Sequence, residues 1–280
     1  MKKYLILLIS TLVFLLMLED TYAISIKAGA NVWYAWYEPG FKTQLMGENE
    51  STTWDNNFEM IEPAEFVYGG LLALNLSERI SIGGVFSYGA GWKCKSNYYN
   101  NPTGTEIHMF KSINKIERLE TDISISYSLS SVFGVFFGWK YLDEHGEGTY
   151  YYFPLSMSSQ ILIGEFDINF YSTGPGVGLS ATINIAKNLY LISSITGIYQ
   201  VSRVTVDITG ISRIQESKKE EQTDKYLGGS LSMNMAYVIP DTSVTLSLGG
   251  RYQRLNSLKE QNKRILFYGI LISAIYSFNI

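Results

Sequence analysis

Apolar and polar residues alternate with a period of two along several stretches of the chain. The clearest stretch is RLETDISISYSLS, residues 118–130, where apolar side chains occupy most odd positions and charged or serine side chains the even ones. Residues 80–92 and 244–253 show the same division. The chain ends in YGILISAIYSFNI, whose second face is partly apolar as well. This period predicts β-strands with one apolar side.

Short turn-like breaks interrupt these strands at Ser77-Glu78, Ser130-Ser131, Ala186-Lys187-Asn188 and Pro240-Asp241. Longer polar segments alternate with the breaks, at 38–63, 93–116, 142–168, 203–225 and 255–263. Four short turns and five long loops, with both termini on the short-turn side, predict about ten antiparallel strands. Twelve strands is the main alternative count, because residues 150–170 either form a further hairpin or prolong two strands; eight strands is another alternative.

Aromatic residues on the apolar faces fall into two bands. Near the long-loop ends we place Trp36, Tyr68, Tyr88, Trp92, Trp139, Tyr141, Tyr171, Tyr199, Tyr252 and Tyr268. Near the short-turn ends are Tyr127, Tyr237, Tyr276 and Phe278. Such bands are typical of strands that cross a membrane. A soluble β-sandwich also alternates, but it does not predict aromatic bands. We therefore predict an all-β, transmembrane, antiparallel up-and-down β-barrel, closed by pairing of the last strand with the first, around residues 24–36.

The N-terminus has the pattern of a secretory signal peptide. Lys2 and Lys3 precede an apolar stretch over residues 4–18, and Thr21-Tyr22-Ala23 places small residues at the first and third positions of a cleavage site. About fifteen apolar residues are short for a membrane-spanning helix, which needs roughly twenty. We predict a signal peptide over 1–23 and a barrel domain over 24–280.

Net charge and cysteine content exclude several kinds of partner and site. The net charge is −4, and phosphate binding needs clustered lysine and arginine, so we expect no nucleic acid partner. Cys94 is the single cysteine, which excludes an intramolecular disulfide and a cysteine-based metal site. We expect no cofactor and no metal.

The predicted signal peptide, the five hairpins and the final strand Tyr276-x-Phe278-x-Ile280 resemble the small single-chain outer-membrane β-barrel proteins of the opacity-type group. The resemblance covers the whole mature chain and concerns its architecture. It implies a bacterial outer-membrane location, contact with outer-membrane lipid, and recognition of the C-terminal strand by the barrel assembly machinery. Such proteins usually end in phenylalanine, whereas this chain ends in isoleucine with Phe278 two positions earlier.

Both histidines of the chain, His108 and His145, lie in predicted loops. Asp143-x-His145 resembles the Asp–His pair of the omptin surface proteases, in which an aspartate orients a histidine that activates water. Omptins carry this pair in the fourth hairpin, whereas here it follows strand five. They also carry two closely spaced aspartates opposite the pair, and this chain contains no Asp-x-Asp. We expect no enzyme activity, and an omptin-like protease remains the alternative.

Charged residues of both signs share the predicted inner face of the barrel. They are Lys27, Glu65, Arg118, Glu120, Asp122, Lys140 and Arg251. In a narrow lumen such groups must be paired or hydrated. We expect them to form an ion-pair network that plugs the barrel; a constriction that selects small ions or solutes is the alternative.

The predicted loops are where a surface function would reside. The first, 38–62, carries six acids and one lysine, and the second, 93–118, carries five basic residues and two acids, so we expect these loops to attract each other. Four aromatic residues on them are candidate anchors for a host or matrix ligand: Trp54, Phe58, Tyr98 and Tyr99. The sequence thus predicts a structural or adhesion-type surface protein, with a narrow channel as the alternative.

Overall fold

The computed structural model describes residues 25–41, 57–100, 107–154, 162–209, 218–260 and 263–279. The predicted signal peptide, Ile24, Trp54 and Ile280 lie outside these ranges. Within them, no helix is long and apolar enough to cross a membrane.

Eleven strands make up the described chain. They are β1 (Ser25–Glu38), β2 (Asn57–Glu62), β3 (Ala64–Asn75), β4 (Ile80–Asn100), β5 (Ile107–Ser128), β6 (Phe133–Pro154), β7 (Leu162–Ala186), β8 (Leu189–Thr209), β9 (Lys218–Val238), β10 (Val244–Ser257) and β11 (Arg264–Asn279).

The strands form one closed antiparallel sheet. Sequential neighbours pair from β3 through to β11, including β4 with β5. The last strand then pairs with the first along its length, from Ser25 opposite Asn279 to Glu38 opposite Leu266. This pairing leaves neither terminal strand with an open edge, which confirms the predicted barrel and its closure.

The eleven strands occupy ten positions around the barrel, because β2 and β3 both pair with β4, one above the other. Pro63 separates them. Proline has no backbone N–H to donate, so it interrupts the ladder. The residues that raised the possibility of a twelfth strand instead lengthen β6 to Pro154 and start β7 at Leu162.

Four tight turns join strands at the positions predicted. The backbone N–H of Leu76 donates to the carbonyl oxygen of Ile80 at 2.9 Å, and the N–H of Leu129 donates to that of Phe133 at 2.9 Å. The other two turns each contain a residue with positive φ, Asn188 at 64° and Asp241 at 60°. Asparagine and aspartate tolerate this left-handed conformation better than other side-chain-bearing residues.

The prediction of long loops was wrong over most of its length, because most of those residues form strands. The strands β4 to β9 each contain 21 to 25 residues. Crossing the hydrocarbon of a bilayer takes about 10 tilted residues. The remaining residues of each strand continue the barrel wall on the long-loop side. We call this part the extension.

Candidate functional site

Apolar side chains cover the outer face of the barrel between the short turns and the extension. Aromatic residues exposed there are Tyr68, Tyr88, Tyr127, Trp139, Tyr141, Tyr171, Tyr237, Tyr252, Tyr268, Tyr276 and Phe278. Trp36 and Tyr199 are half-buried, and the Trp36 ring stacks on Tyr268 at 5.5 Å between centroids. Exposure of so many apolar side chains to water is unfavourable, so this face is suited to contact with lipid.

Trp92 was predicted to belong to this outer aromatic band, and the structure shows that this is wrong. Its side chain is fully buried inside the barrel, where Nε1 donates a hydrogen bond to the carbonyl oxygen of Ala35 at 3.4 Å. The register between β4 and β5 shifts on both sides of Trp92, and Gly91 has a φ of 134°. Because a bulge inserts an extra residue, it reverses which side chains point inward beyond it.

A hydrophobic core fills the barrel within the extension. Its members include Tyr37, Trp92, Ile113, Ile116, Leu142, Phe166, Ile168, Phe170, Tyr226, Leu255, Ile265 and Phe267. After β1 the chain turns inward, so that Phe41 is also fully buried, and the hydroxyl of Tyr226 donates to the carbonyl oxygen of Gly40 at 3.3 Å. This core explains why the last strand is apolar on both faces: Ile265 and Phe267 point into it.

Next to this core lies a buried layer of ion pairs centred on Arg118. One guanidinium nitrogen of Arg118 lies 2.9 Å from a carboxylate oxygen of Glu144, and the other lies 2.8 Å from Glu120. The same guanidinium packs between the rings of Tyr37 and Phe267, at 4.7 and 4.6 Å from their centroids. Arg118 is thus held by two carboxylates and two aromatic faces.

Arg251, Lys140 and Asp122 continue the layer across the barrel. Arg251 lies 2.7 Å from the second oxygen of Glu120, and Lys140 lies 3.7 Å from that oxygen and bonds to Asp122. The layer contains three basic and three acidic side chains in contact, counting Glu144. Each charged group of the layer faces an opposite one, so its three positive and three negative formal charges cancel.

Two of the seven residues predicted for this network lie apart from it. Lys27 is exposed near the short-turn end of β1. Glu65 is half-buried against Gly91, at the β4 bulge, and one of its carboxylate oxygens accepts a hydrogen bond from the backbone N–H of Phe66 at 3.2 Å. The structure brings the other five together.

On the short-turn side of the ion pairs, the lumen contains a cavity of about 380 Å³ with a mixed lining. Serine, threonine and asparagine side chains line it together with apolar ones such as Trp33 and Phe136, and the charged residues Asp122, Lys140 and Arg251 bound it. Several hydroxyls bond to each other across strands, Ser194 to Ser232 at 2.8 Å and Ser247 to Ser273 at 2.6 Å. The lumen therefore has a mixed lining toward the short turns, ion pairs in the middle and an apolar core in the extension.

Two sets of buried charged groups were not predicted from the sequence. Glu144 follows Lys140 and Leu142 at the inward-facing period, so the alternation contained the signal for it. Lys263 and Asp224, whose charged atoms lie 3.5 Å apart and are almost fully buried, fell in segments predicted as loops. No sequence pattern indicated that these two segments meet.

The structure does not join Asp143 to His145. Both lie on the outer face of β6, where Asp143 accepts a hydrogen bond from the hydroxyl of Tyr141 at 3.3 Å. The His145 ring instead bonds to Asn169 at 2.9 Å and to Glu147 at 3.2 Å. Partial burial disfavours protonation of the ring, but these hydrogen bonds outweigh it and raise the pKa of His145 above its usual value.

Several candidate residues fall where the structure does not describe the side chain. They are His108, Phe58, Tyr98 and Tyr99, whose backbones lie in strands β5, β2 and β4. The predicted adhesive anchors therefore occupy the extension rather than separate loops, apart from Trp54, which lies outside the described residues.

Comparisons of structure identify proteins with a similar fold. The outer membrane protease OmpT from Escherichia coli matches with a TM-score of 0.58 and 12% identity, over 93% of this chain and 99% of that chain. The chain folds as an outer-membrane-type β-barrel. At this identity, the likeness concerns the fold alone.

Two further solved structures are similar at lower TM-scores. The translocator domain of the autotransporter NalP from Neisseria meningitidis has a TM-score of 0.46 and 9% identity, over 93% of this chain and 90% of that chain. Ail, the attachment invasion locus protein of Yersinia pestis, has a TM-score of 0.29 and 9% identity, over 92% of this chain and 100% of that chain. No protein-family model matches the chain, and no curated protein matches it in sequence.

Proposed function

We propose that the chain is an integral outer-membrane β-barrel of structural or adhesion type, exported by a cleaved signal peptide, with a lumen that does not conduct. The exposed apolar and aromatic outer face supports a membrane location, and the fold is that of outer-membrane barrels. A cell-surface role agrees with the long strands on one side of this face.

The filled interior of the extension is the observation that carries this proposal. A channel needs a continuous polar path, whereas here a hydrophobic core follows directly on a charge-balanced layer of ion pairs. Strands of 21 to 25 residues packed around a solid core form a rigid platform above the membrane. Such a platform is suited to presenting a surface and unsuited to passing solutes.

Planar bilayer recordings test the closed lumen. We expect the refolded wild-type protein to give no stable unitary conductance steps, because the apolar core excludes hydrated ions. Arg118→Ala and Glu120→Ala, which disrupt the ion-pair layer, should leave that core in place and remain silent. Stable steps in the wild type whose size changes in either variant would contradict the proposal and support a channel.

The channel alternative rests on one specific observation, the cavity of about 380 Å³ with a partly polar lining on the short-turn side. Its serine and threonine lining would hold water or a small polar solute. It would serve transport only if the core above it opened. Conductance under both polarities and across a range of salt concentrations separates a permanently closed barrel from a gated one.

Adhesion is tested with barrels displayed on a non-adherent bacterial host. The matched variant lacks residues 96–111 and joins Lys95 to Ser112, which face each other in the β4–β5 ladder, through an Asn-Gly turn. We expect cells with the full chain to bind matrix-coated surfaces and cells with the shortened hairpin to bind less. Equal display and heat-modifiable migration of both barrels are the controls. Binding no greater than that of vector-only cells would remove the adhesive role.

We further propose that the chain has no protease activity. The separation of Asp143 from the His145 ring, which bonds to Asn169 and Glu147, supports this proposal. We expect no cleavage of peptide substrates by the refolded barrel. Cleavage abolished by His145→Ala or Asp143→Ala would contradict it, whereas cleavage unchanged by His145→Ala would come from a contaminant.

A further inference from the structure

Three side chains that commonly bind metals meet on the outer face of the extension. His145 and Glu147 project from β6 and Asp167 from β7, and one potential ligand atom from each lies within 4.8 Å of the other two. We call them the outer cluster. Asp143 separates the outer cluster from Tyr141 and the apolar face below, so the cluster lies beyond the part of β6 suited to lipid.

Strand pairing fixes the relative positions of these residues. Glu147 lies directly opposite Asp167 in the β6–β7 ladder, and His145 lies directly opposite Asn169. Residues two apart on one strand share a face, so His145 and Glu147 point to the same side. A ligand set built on two hydrogen-bonded strands is more rigid than one built on a loop.

Asn169 orients the imidazole. Its side-chain oxygen lies 2.9 Å from Nδ1 of His145, and an amide oxygen can only accept a hydrogen bond, so the proton lies on Nδ1. In the metal-free protein Nε2 lies 3.2 Å from a carboxylate oxygen of Glu147, a hydrogen bond in which only the nitrogen can donate. A metal ion would replace the proton on Nε2 and bind the lone pair of that nitrogen. Metal-binding histidines are usually held in this way, by a partner that accepts from the other ring nitrogen.

The surroundings leave room for an ion and its remaining ligands. The His145 side chain is 35% exposed and that of Glu147 is 69% exposed. An open polar groove of about 390 Å³ adjoins them, lined in part by Glu147, Glu165 and Asp167. Lys115 also lines this groove, and its ammonium group is paired with Glu117 on the neighbouring strand.

We propose that His145, Glu147 and Asp167 bind a divalent first-row transition-metal ion, with Zn²⁺ as the test ion. One imidazole nitrogen and two carboxylates suit such an ion better than Mg²⁺ or Ca²⁺, which prefer oxygen ligands alone. The remaining coordination positions face solvent, where water or an external donor completes the shell. This inference does not depend on the adhesive role proposed above.

Isothermal titration of Zn²⁺ into the untagged, refolded barrel in detergent tests the site. We expect one ion per barrel with micromolar or tighter affinity. Affinity should fall at least tenfold in His145→Ala and in Asp167→Asn, since each variant removes a ligand. Asn169→Ala keeps all three ligands but frees the ring, so we expect a smaller loss. Heat-modifiable migration in each variant shows that the barrel is folded.

Two matched variants distinguish the site from nonspecific binding. His108→Ala removes the other imidazole of the chain, and Asp143→Asn removes a neighbouring carboxylate on the same face of β6. Both should bind Zn²⁺ as the wild type does. Co²⁺ should give visible d–d absorption bands that disappear in His145→Ala. Absence of micromolar binding, unchanged binding in His145→Ala, or an equal loss in Asp143→Asn would each overturn the proposal.

Discussion

At the scale of single residues, Arg118 joins the ion-pair layer to the hydrophobic core beside it. Its guanidinium bridges Glu120 and Glu144 while lying against two aromatic rings, and its side chain is only 2% exposed. Removing one partner of a buried pair leaves the other charge without compensation. Substituting Arg118 therefore tests whether the ion-pair layer is as tightly packed as its geometry indicates.

We expect Arg118→Ala to lower the free energy of unfolding by about 3–5 kcal/mol, because it removes the basic partner of the buried Glu144 and one of the basic partners of Glu120. The matched control is Arg203→Ala, which breaks the Arg203–Glu221 pair, whose side chains are 58% and 47% exposed. That change should cost at most about 1 kcal/mol. Urea titration of both variants refolded in lipid vesicles measures the difference. Equal losses of unfolding free energy in the two variants would show that water hydrates the ion-pair layer.

Gly91 is the second residue whose geometry makes a sharp prediction. Its φ of 134° is rarely adopted by residues with a side chain, and an added Cβ would lie 2.8 Å from a carboxylate oxygen of Glu65. We expect Gly91→Ala to destabilise the barrel by about 1–3 kcal/mol.

Gly83→Ala on the same strand is the control for that change. A Cβ there would meet its nearest neighbours at 3.7 Å, an ordinary contact distance, so we expect little effect. Urea titration in vesicles compares the two variants. If Gly91→Ala were as stable as Gly83→Ala, alanine would adopt the backbone conformation at position 91 without strain, which would contradict the prediction.

At the scale of elements, the long strands change the side on which they are apolar. In β7, Phe166, Ile168 and Phe170 are buried inside the extension. Further along the same strand, Val177, Leu179, Ile183 and Ile185 are exposed on the outer face. Where water surrounds the barrel, the inner face is apolar. Where lipid surrounds the barrel, the outer face is apolar. The reversal marks the end of the membrane-spanning part of the strand.

The turn between β7 and β8 provides a prediction at this scale. Asn188 has a φ of 64°, and β-branched residues in that conformation are strained by roughly 1–2 kcal/mol. We expect Asn188→Val to slow refolding into vesicles and to lower stability by about that amount, because the hairpin register depends on the turn. Asn188→Gly should behave like the wild type. The fraction of heat-modifiable protein over time measures refolding; equal rates for both variants would contradict the prediction.

At the scale of the whole molecule, the closed ladder from β1 to β11 gives the chain its stability in a membrane. Every strand except β2 has two neighbours, and β2 belongs to the extension, so within the described residues no strand edge of the membrane-spanning wall faces lipid. Opening the barrel anywhere would expose unpaired backbone groups, and we therefore expect unfolding to be cooperative and slow.

Heat-modifiable migration tests this closure. We expect the mature chain refolded in detergent to migrate faster on a gel when unheated than after boiling, since the closed barrel resists the denaturing detergent. Circular dichroism of the unheated sample should be rich in β-structure. A chain that stays monomeric and soluble without detergent would contradict the membrane assignment, because its exposed apolar outer face would then have to be covered in another way.

The sequence by itself determined the number of strand positions, the four tight turns and the outer aromatic residues apart from Trp92. These features are local. They follow from the period of two, from the residues at the turns, and from the fact that each face of a strand contacts either lipid or water. The lengths of the strands were not predictable in the same way, because a polar outer face beyond the membrane has the composition of a loop.

Only the tertiary structure decided what fills the barrel. The burial of Trp92 depends on a bulge, the position of Phe41 depends on the chain turning inward after β1, and the outer cluster depends on the β6–β7 register. The Asp224–Lys263 contact likewise joins segments far apart in sequence. These arrangements follow from pairing between strands, which the alternation along one strand does not encode.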